Sequence, residues 1–201
     1  MDTIKKRQNA GVRKPDIVRN FYQVILEEGI EGASIGKVAK RMGIHPSLII
    51  HYFQNKENLI VALVDYIIRR AGEIYRELIV QSGDPGTRLR SLVAIFFSEA
   101  WYGMSDLGGD FAILSLSGRE PRVDARLREM YALLKQLIVG ELEKIFKEGG
   151  ITVRDPKRAA EIIISMYEGY RHFKHFYIEE GDAEKFREDM IASAMAALTN
   201  N

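Results

Sequence analysis

Apolar residues recur every three or four positions along most of the chain, which is the spacing that a helix with one buried face produces. Between residues 35 and 42 the apolar positions are Ile35, Val38, Ala39 and Met42. The same spacing continues through a much longer segment, residues 56–78. Alternating apolar and polar runs bounded by hairpin turns are not found, so the sequence predicts an all-α protein with about nine helices.

Proline marks the beginning of several predicted helices, because its fixed φ angle suits the first helical turn. Helices are predicted to begin at Pro15, Pro85 and Pro156, and an aspartate precedes the last two as a cap. The first of these helices is predicted to end at Gly29. The last two helices are separated near residues 181–182.

The composition changes near residue 55, where short segments with glycine turns give way to longer amphipathic ones. This change predicts a small N-terminal domain, residues 1–55, and a larger helical domain, residues 56–201, joined by one continuous helix. The net charge of +1 divides unequally, with +4 in residues 1–60 and −3 in the remainder. Such a division indicates that the N-terminal part contacts a polyanion.

The stretch MGIHPSLIIHYFQNKENL, residues 42–59, predicts a helix-turn-helix. Gly43 suits the left-handed position that ends a helix, and Pro46 begins a second, short helix. At 100° per residue, one side of this helix is predicted to face the core with Ile49, Ile50 and Phe53. The other side is predicted to carry Ser47, Leu48, His51 and Tyr52. An all-α protein with an N-terminal three-helix helix-turn-helix domain and a larger C-terminal helical bundle is therefore expected.

A short helix of this kind fits the major groove of DNA, with its first residues nearest the base edges. Ser47 is small enough for close approach, and His51 and Tyr52 can reach bases or phosphates. Asn55 is predicted to cap the next helix, so that Lys56 and the first N–H groups of that helix hold one phosphate together. A basic N-terminal arm could follow the DNA backbone or enter the minor groove with Lys5, Lys6, Arg7, Arg13 and Lys14.

The segment ASIGKVAKRMGIHPSLIIHYFQNKENL resembles the N-terminal domain of TetR-type bacterial transcriptional repressors, over about residues 14–65. Within that family, IIHYFQNK is most similar to regulators of the betaine-synthesis (BetI-like) type. His45 stands where many relatives carry Ser or Thr, and Ile50 where many carry Tyr, so the helix cap and one phosphate contact are altered. The resemblance implies DNA contacts at Ser34, Pro46, Ser47, Ile50, His51, Tyr52 and Lys56.

The resemblance also implies a ligand-responsive repressor whose larger domain holds an effector cavity. Aromatic and apolar residues of that domain are typical of an apolar pocket, which a few polar groups complete. For any single residue, ordinary core packing is the simpler interpretation. As a group they predict an effector that is apolar or compatible with aromatic rings, and a quaternary amine would gain cation–π contacts. The candidate pocket residues are Phe96, Trp101, Tyr102, Phe111, Met130, Tyr131, Tyr167 and Glu168.

Glu168, His172 and His175 share one predicted helix face and are residue types that bind metals. The apolar side of that helix is predicted to lie opposite them, with Ile162, Met166, Tyr170, Phe173 and Tyr177. A solvated face, or the polar edge of a dimer interface, is therefore the preferred interpretation. Neither a metal nor a cofactor is predicted.

The last two helices, residues 156–180 and 183–199, are amphipathic, and the resemblance implies that they build a homodimer. A two-fold dimer presents two reading helices and predicts a pseudo-palindromic double-stranded DNA operator.

Other function classes receive less support from the sequence. The chain has no cysteine, no glycine-rich phosphate loop and no HExxH, so an enzyme is not predicted. Neither a secretory signal nor an apolar run of the roughly 20 residues that span a bilayer is found, and a cytoplasmic protein without membrane contact is expected. Two alternatives remain open: a helical metal-binding protein or enzyme with a helix-turn-helix-like head, and a DNA-binding architectural protein without an effector.

Overall fold

The structure is a computed structural model that describes residues 2–79, 84–102, 107–149 and 155–199. Side chains are described from residue 13 onward, except at positions 78, 79, 102, 107, 180 and 199. Across the described part of the chain, no helix combines the length and the apolarity that crossing a membrane requires.

Within the described ranges the chain forms ten α-helices and one short 3₁₀ turn, and no strand is assigned there. The helices are α1 (Asp2–Gly32), α2 (Ile35–Met42), α3 (Pro46–Phe53), α4 (Lys56–Ile79), α5 (Pro85–Phe96), α6 (Glu99–Tyr102), α7 (Leu107–Leu114), α8 (Pro121–Lys147), α9 (Pro156–Tyr177) and α10 (Ala183–Thr199). The 3₁₀ turn spans Glu180–Asp182. The all-α prediction is confirmed.

The helices form two compact units. The first comprises Met1–Arg69 and Ser105–Met130, and the second Arg70–Met104 and Tyr131–Asn201. Helices α4 and α8 contribute residues to both units. These compact units do not coincide with the two domains predicted on either side of residue 55. The division of the chain into a DNA-binding and an effector-binding domain at that residue stays a prediction.

The first unit has one apolar core that six helices share. Ile17 and Phe21 of α1 are fully buried there, as are Val38 of α2, Ile49 of α3 and Leu59 of α4. Residues much later in the chain complete the same core, namely Ile113, Leu116, Val123 and Leu127. Helix α7 and the beginning of α8 therefore pack with the three N-terminal helices, a placement that local sequence patterns do not reveal.

Helix α1 begins earlier than predicted, and its regular part ends at Gly29 as predicted. It begins at Asp2 and passes through Pro15, where the sequence predicts a helix start. Gly29 interrupts the regular helix with φ 73° and ψ 168°, and the chain then continues in helical conformation to Gly32. The basic side chains of the predicted arm at Lys5, Lys6 and Arg7 lie outside the described residues.

The second unit has its own core, to which α4, α5, α6, α8, α9 and α10 contribute. Its fully buried side chains include Phe96 of α5, Leu142 of α8, Ile163 of α9 and Leu198 of α10. Helix α10 packs against α5 and α9. The amphipathic character predicted for the C-terminal half therefore corresponds to helices that bury one side in a common core.

The predicted aspartate caps of α5 and α9 are confirmed. The Asp84 carboxylate accepts the backbone N–H groups of Gly86 and Thr87, at 3.0 and 3.1 Å. The Asp155 carboxylate accepts those of the second and third residues of α9 at 3.0 and 3.1 Å. Each cap satisfies N–H groups that have no partner within the helix.

Gly109 of α7 provides a test of the unexpected packing in the first unit. A β-carbon at this position would lie 2.4 Å from Cε2 and 2.6 Å from the hydroxyl oxygen of Tyr22 in α1. We expect Gly109→Ala to lower the free energy of unfolding by about 1–3 kcal/mol, because the rigid ring must move. Thermal unfolding followed by circular dichroism measures this loss.

The matched control is Gly140→Ala in α8, where nothing lies within 4 Å of the added carbon. This variant should be more stable than the wild type by up to about 1 kcal/mol, since alanine favours helix over glycine. A Gly109→Ala protein as stable as the wild type would contradict the packing of α7 on α1.

Candidate nucleic-acid interface

Helices α2 and α3 form the predicted helix-turn-helix. The Ser34 hydroxyl accepts the Lys37 N–H at 3.3 Å and caps α2. Gly43 ends α2 in the left-handed conformation, with φ 63°. The Ile44 N–H donates to the Ala39 carbonyl at 3.0 Å, which closes the turn. Both predicted signals, the serine cap and the glycine stop, are therefore confirmed.

Helix α3 is held by two buried side chains, Ile49 and Phe53. Ser47 and His51 are exposed, as predicted. Ile50 was expected to face the core with Ile49, but it is 49% exposed and lies on the outer surface. The reason is geometric: a two-turn helix places only positions 49 and 53, four residues apart, over the core.

The start of α3 is capped by His45, the residue that replaces the usual Ser or Thr. The His45 Nδ1 accepts the Ser47 N–H at 3.3 Å and lies 2.8 Å from the Ser47 hydroxyl. The substitution therefore preserves a cap at the helix start. Pro46 occupies the first helical position, as predicted.

Tyr52 is half-buried rather than fully outward, and its ring lies 5.3 Å from that of His51. Together with Lys14, Gln54 and Arg69 it lines a cleft of the first unit between α1, the end of α3 and α4. The exposed Lys14 ammonium lies 6.0 Å from the centre of the Phe53 ring. The cleft thus combines an aromatic hydroxyl with two basic side chains and the Asp65 carboxylate.

The beginning of α4 is capped by Asn55, as predicted, and Lys56 makes a contact that was not predicted. The Asn55 side chain accepts the Asn58 N–H at 2.8 Å and caps the helix. The Lys56 ammonium donates a hydrogen bond to the Ile30 carbonyl, just after the kink of α1. Lys56 therefore also joins α4 to α1, a structural role that the sequence does not indicate.

Some of the basic residues in this part of the chain are paired with carboxylates. Lys37 forms an ion pair with Glu28, and Arg41 forms one with Glu27 at 2.7 Å. Both pairs join α2 to α1 at the surface, where such pairs contribute little to stability. The count of basic residues therefore overstates the positive charge that is unopposed at the surface.

The chain between α3 and α4 makes a tight turn that sequence analysis missed. Gln54 has φ 67° and ψ −51°, a conformation that residues other than glycine rarely adopt. The Asn55 N–H donates to the Phe53 carbonyl at 2.8 Å, across Gln54. Strain of this kind persists only where neighbouring contacts support it.

The predicted pocket residues divide between the two units. Phe96, Trp101 and Tyr167 come together in the second unit, with ring centres 4.9 to 6.5 Å apart. Phe111 and Met130 belong to the first unit instead, and Phe111 is 42% exposed. The side chain of Tyr102 lies outside the described residues.

Two polar features accompany the aromatic cluster of the second unit. The indole N–H of Trp101 is buried and has no hydrogen-bond partner among the described residues. The Tyr131 hydroxyl donates to the Glu168 carboxylate at 3.0 Å. Buried donors without a partner are uncommon, because each costs about 1–3 kcal/mol.

His172 is buried, contrary to the solvated face predicted for it. Its Nδ1 lies 3.1 Å from the Glu168 carboxylate and 3.0 Å from the Glu168 carbonyl oxygen. His175 is exposed, and no group of three potential metal ligands is found among the described residues. Near the end of α9, Phe173 and Tyr177 of the predicted apolar side are exposed.

The hydrogen bond with Glu168 and the negative charge of that carboxylate raise the pKa of His172 above its usual value. Burial and the charge of Arg171 act in the opposite direction and are smaller in sum. The Glu168 carboxylate therefore favours the protonated form of the His172 ring.

Two family models match the chain. One, described as bacterial regulatory proteins of the tetR family, covers residues 22–63. The other, described as the tetracyclin repressor-like C-terminal domain, covers residues 85–196. The second match alone spans more than half of the chain.

Curated relatives match part of the chain. The HTH-type transcriptional regulator BetI of Yersinia pestis (strain Pestoides F) is 31% identical over 91 residues, which are 44% of this chain and 46% of that protein. The chain thus spans about half the length of the curated relatives it matches.

Two solved structures share the fold. A TetR transcription regulator from Haloarcula marismortui ATCC 43049 has a TM-score of 0.80 at 16% identity, covering 94% of this chain and 98% of that one. FadR from Bacillus subtilis, in complex with stearoyl-CoA, has a TM-score of 0.66 at 17% identity, covering 89% and 95%. The predicted helix-turn-helix domain followed by a helical bundle is confirmed.

The Glu168–His172 pair makes stability depend on pH. Because the folded-state pKa is raised, the stabilisation is fully present below about pH 6.5, the usual histidine value, and is lost as the pH rises through the folded-state pKa. We expect the melting temperature to fall over that range in the wild type and to change less in His172→Gln. Calorimetry between about pH 5.5 and 8.5 measures both profiles.

The control is His175→Gln, which removes an exposed histidine from the same helix. Its pH profile should match that of the wild type. A wild-type melting temperature that rises through this range would contradict the pairing.

Proposed function

The chain belongs to the TetR family of bacterial regulatory proteins, and from this premise we propose that it is a transcriptional repressor that a small molecule releases from its DNA operator. The observation that carries the proposal is the construction of α3. Its buried residues anchor it to the first unit, while Ser47, Ile50 and His51 remain exposed. A short helix with a small and polar outer face suits the major groove.

Each exposed residue of α3 has a distinct chemical use at the groove. Ser47 stands near the helix start, where close approach to base edges requires a small side chain. Ile50 offers an apolar surface to a thymine methyl group, and His51 can donate or accept a hydrogen bond. These contacts would supply sequence selectivity.

Phosphate contacts would position the helix in the groove. The capped starts of α2 at Ser34 and α4 at Asn55 offer N–H groups and positive dipole ends. Lys14 and the half-buried Tyr52 flank α3 on the side of the cleft. Lys56 carries three donors, so it can keep its bond to Ile30 and still contact a phosphate.

Dimerisation is supported by apolar surface at the end of α9. Phe173, Phe176 and Tyr177 are 50%, 71% and 59% exposed, although they are large aromatic residues. Exposed patches of this kind mark contact surfaces. We propose a homodimer through α9 and α10, which would read a pseudo-palindromic operator with half-sites about one helical turn, roughly 34 Å, apart. Such a protein acts in the cytoplasm, where bacterial DNA lies.

The aromatic cluster of the second unit supports an effector site. Phe96, Trp101 and Tyr167 provide ring surfaces, and the indole N–H of Trp101 needs an acceptor. We propose an effector with an apolar body and a hydrogen-bond acceptor, with Glu168 and Tyr131 at the polar edge of the site. Helix α4 contributes residues to both units and is proposed as the lever between ligand and DNA states.

Operator recognition is tested by selecting duplexes from a random-sequence pool with the wild-type protein. We expect a sequence with two inverted half-sites to emerge, and Ser47→Trp to lower affinity for it by about a hundredfold, because the indole blocks close approach. Fluorescence anisotropy at two salt concentrations measures both affinities.

The control is Ser115→Trp, which adds the same bulk to an exposed serine of the first unit outside the helix-turn-helix. This variant should bind the selected duplex like the wild type. Selection of no consensus, with binding that salt alone abolishes, would exclude operator recognition.

The effector proposal can use Trp101, since it is the one tryptophan of the chain. In a set of small apolar acids and amines, compounds that quench its fluorescence should also lower affinity for the selected duplex. Ligands that favour one of two states typically shift affinity by about 5- to 150-fold. Quenching compounds that leave operator affinity unchanged would contradict a regulatory site at Trp101.

A further inference from the structure

Asn58 of α4 supports the strained turn that follows α3, the helix proposed to read the DNA and called the reading helix below. Its side-chain Nδ2 donates to the Phe53 carbonyl at 2.7 Å and lies 3.3 Å from the side-chain oxygen of Gln54. The Phe53 carbonyl also accepts the Asn55 N–H. One amide group therefore holds the last residue of α3 and the residue with positive φ.

The orientation of the Asn58 amide is set from outside the helix-turn-helix. Its Oδ1 accepts a hydrogen bond from the Arg122 guanidinium at 2.7 Å. A guanidinium only donates and a carbonyl only accepts, so the amide has one orientation that satisfies both neighbours. With the amide reversed, two donors would face each other and the Phe53 carbonyl would face an oxygen.

Arg122 lies in the second residue position of α8 and pairs with Glu57 at 3.4 Å, which keeps its guanidinium over the start of α4. It falls within residues 85–196, which match the C-terminal family model, yet it belongs to the first compact unit with the reading helix. A residue of the C-terminal sequence region thus reaches the reading helix through one intermediate side chain.

We propose that Arg122 is a positioning residue for operator recognition: by fixing the Asn58 amide, it holds the turn at Gln54 and so the orientation of α3. The inference rests on the proposed function, because it assigns a role within operator binding. Arg122 acts through Asn58 and not through a phosphate contact of its own.

The test measures binding of the selected duplex by Arg122→Gln and Arg122→Lys. We expect Arg122→Gln to bind about three- to tenfold more weakly, the change that loss of one hydrogen bond produces. Arg122→Lys should recover part of this loss, since an ammonium also donates to Oδ1. The matched control is Arg119→Gln, whose arginine is similarly exposed and pairs with Glu31 at 3.5 Å, and which should bind like the wild type.

Two comparisons separate positioning from direct DNA contact. The salt dependence of binding should be the same in Arg122→Gln and the wild type, whereas loss of a phosphate contact lowers the logarithmic slope by about one. In an Asn58→Ala background, Arg122→Gln should have no further effect. A reduced salt slope, an undiminished effect in that background, or unchanged affinity of Arg122→Gln would each overturn the inference.

A readout without DNA keeps the inference separate from the proposed function. Amide hydrogen exchange of Asn55, whose N–H closes the turn, should be faster in Arg122→Gln and unchanged in Arg119→Gln. If the wild type selects no duplex, the proposed function fails. The exchange rates still test whether Arg122 stabilises the turn at Gln54. Equal Asn55 exchange in Arg122→Gln and the wild type would overturn the inference whatever the protein binds.

Discussion

Ile49 and Phe53 are inserted in an apolar core that six helices share, and this insertion decides which face of α3 meets solvent. Burial of each side chain is worth about 1.5–3 kcal/mol. Rotating α3 by a quarter turn would expose both residues and bury polar groups in their place. Every DNA contact proposed for Ser47, Ile50 and His51 depends on this anchoring, since it fixes which side of α3 faces outward.

Several basic side chains of the first unit already have partners within the protein. Lys37 and Arg41 are engaged by carboxylates of α1, and Lys56 by a backbone carbonyl. The surface pairs are worth at most about 1 kcal/mol each, so a phosphate could displace a carboxylate at small cost. The Lys56 bond differs, because the Ile30 carbonyl follows a kink and would lose its partner. The charges of Lys37 and Arg41 would therefore be available to DNA only where a phosphate replaces the carboxylate partner.

Local signals in the sequence were sufficient for the caps, the glycine stop and the helix-turn-helix, because each depends on residues within four positions. They were insufficient for α7 and the start of α8, whose place in the core of the first unit depends on residues far apart in the chain. Gly109 of α7 and Tyr22 of α1, for example, are about ninety residues apart. Helical periodicity misassigned Ile50 and His172, since it gives the direction of a side chain and not what lies there. The strained Gln54 turn had no sequence signal, as neither glycine nor asparagine occupies the position.

The hydrogen bond between Arg122 and Asn58 is another contact between residues far apart in the chain, and it bears on function. If effector binding alters operator affinity, operator binding must alter effector affinity by the same factor, so some contact has to differ between the two states. A hydrogen bond from a mostly exposed arginine is weak enough to break when the protein changes state. It is also directional, because it orients the Asn58 amide that bonds to the strained turn. A buried apolar contact lacks that directionality. The turn at Gln54, just after α3, is therefore better suited to adjustment than the helix itself, which Ile49 and Phe53 anchor.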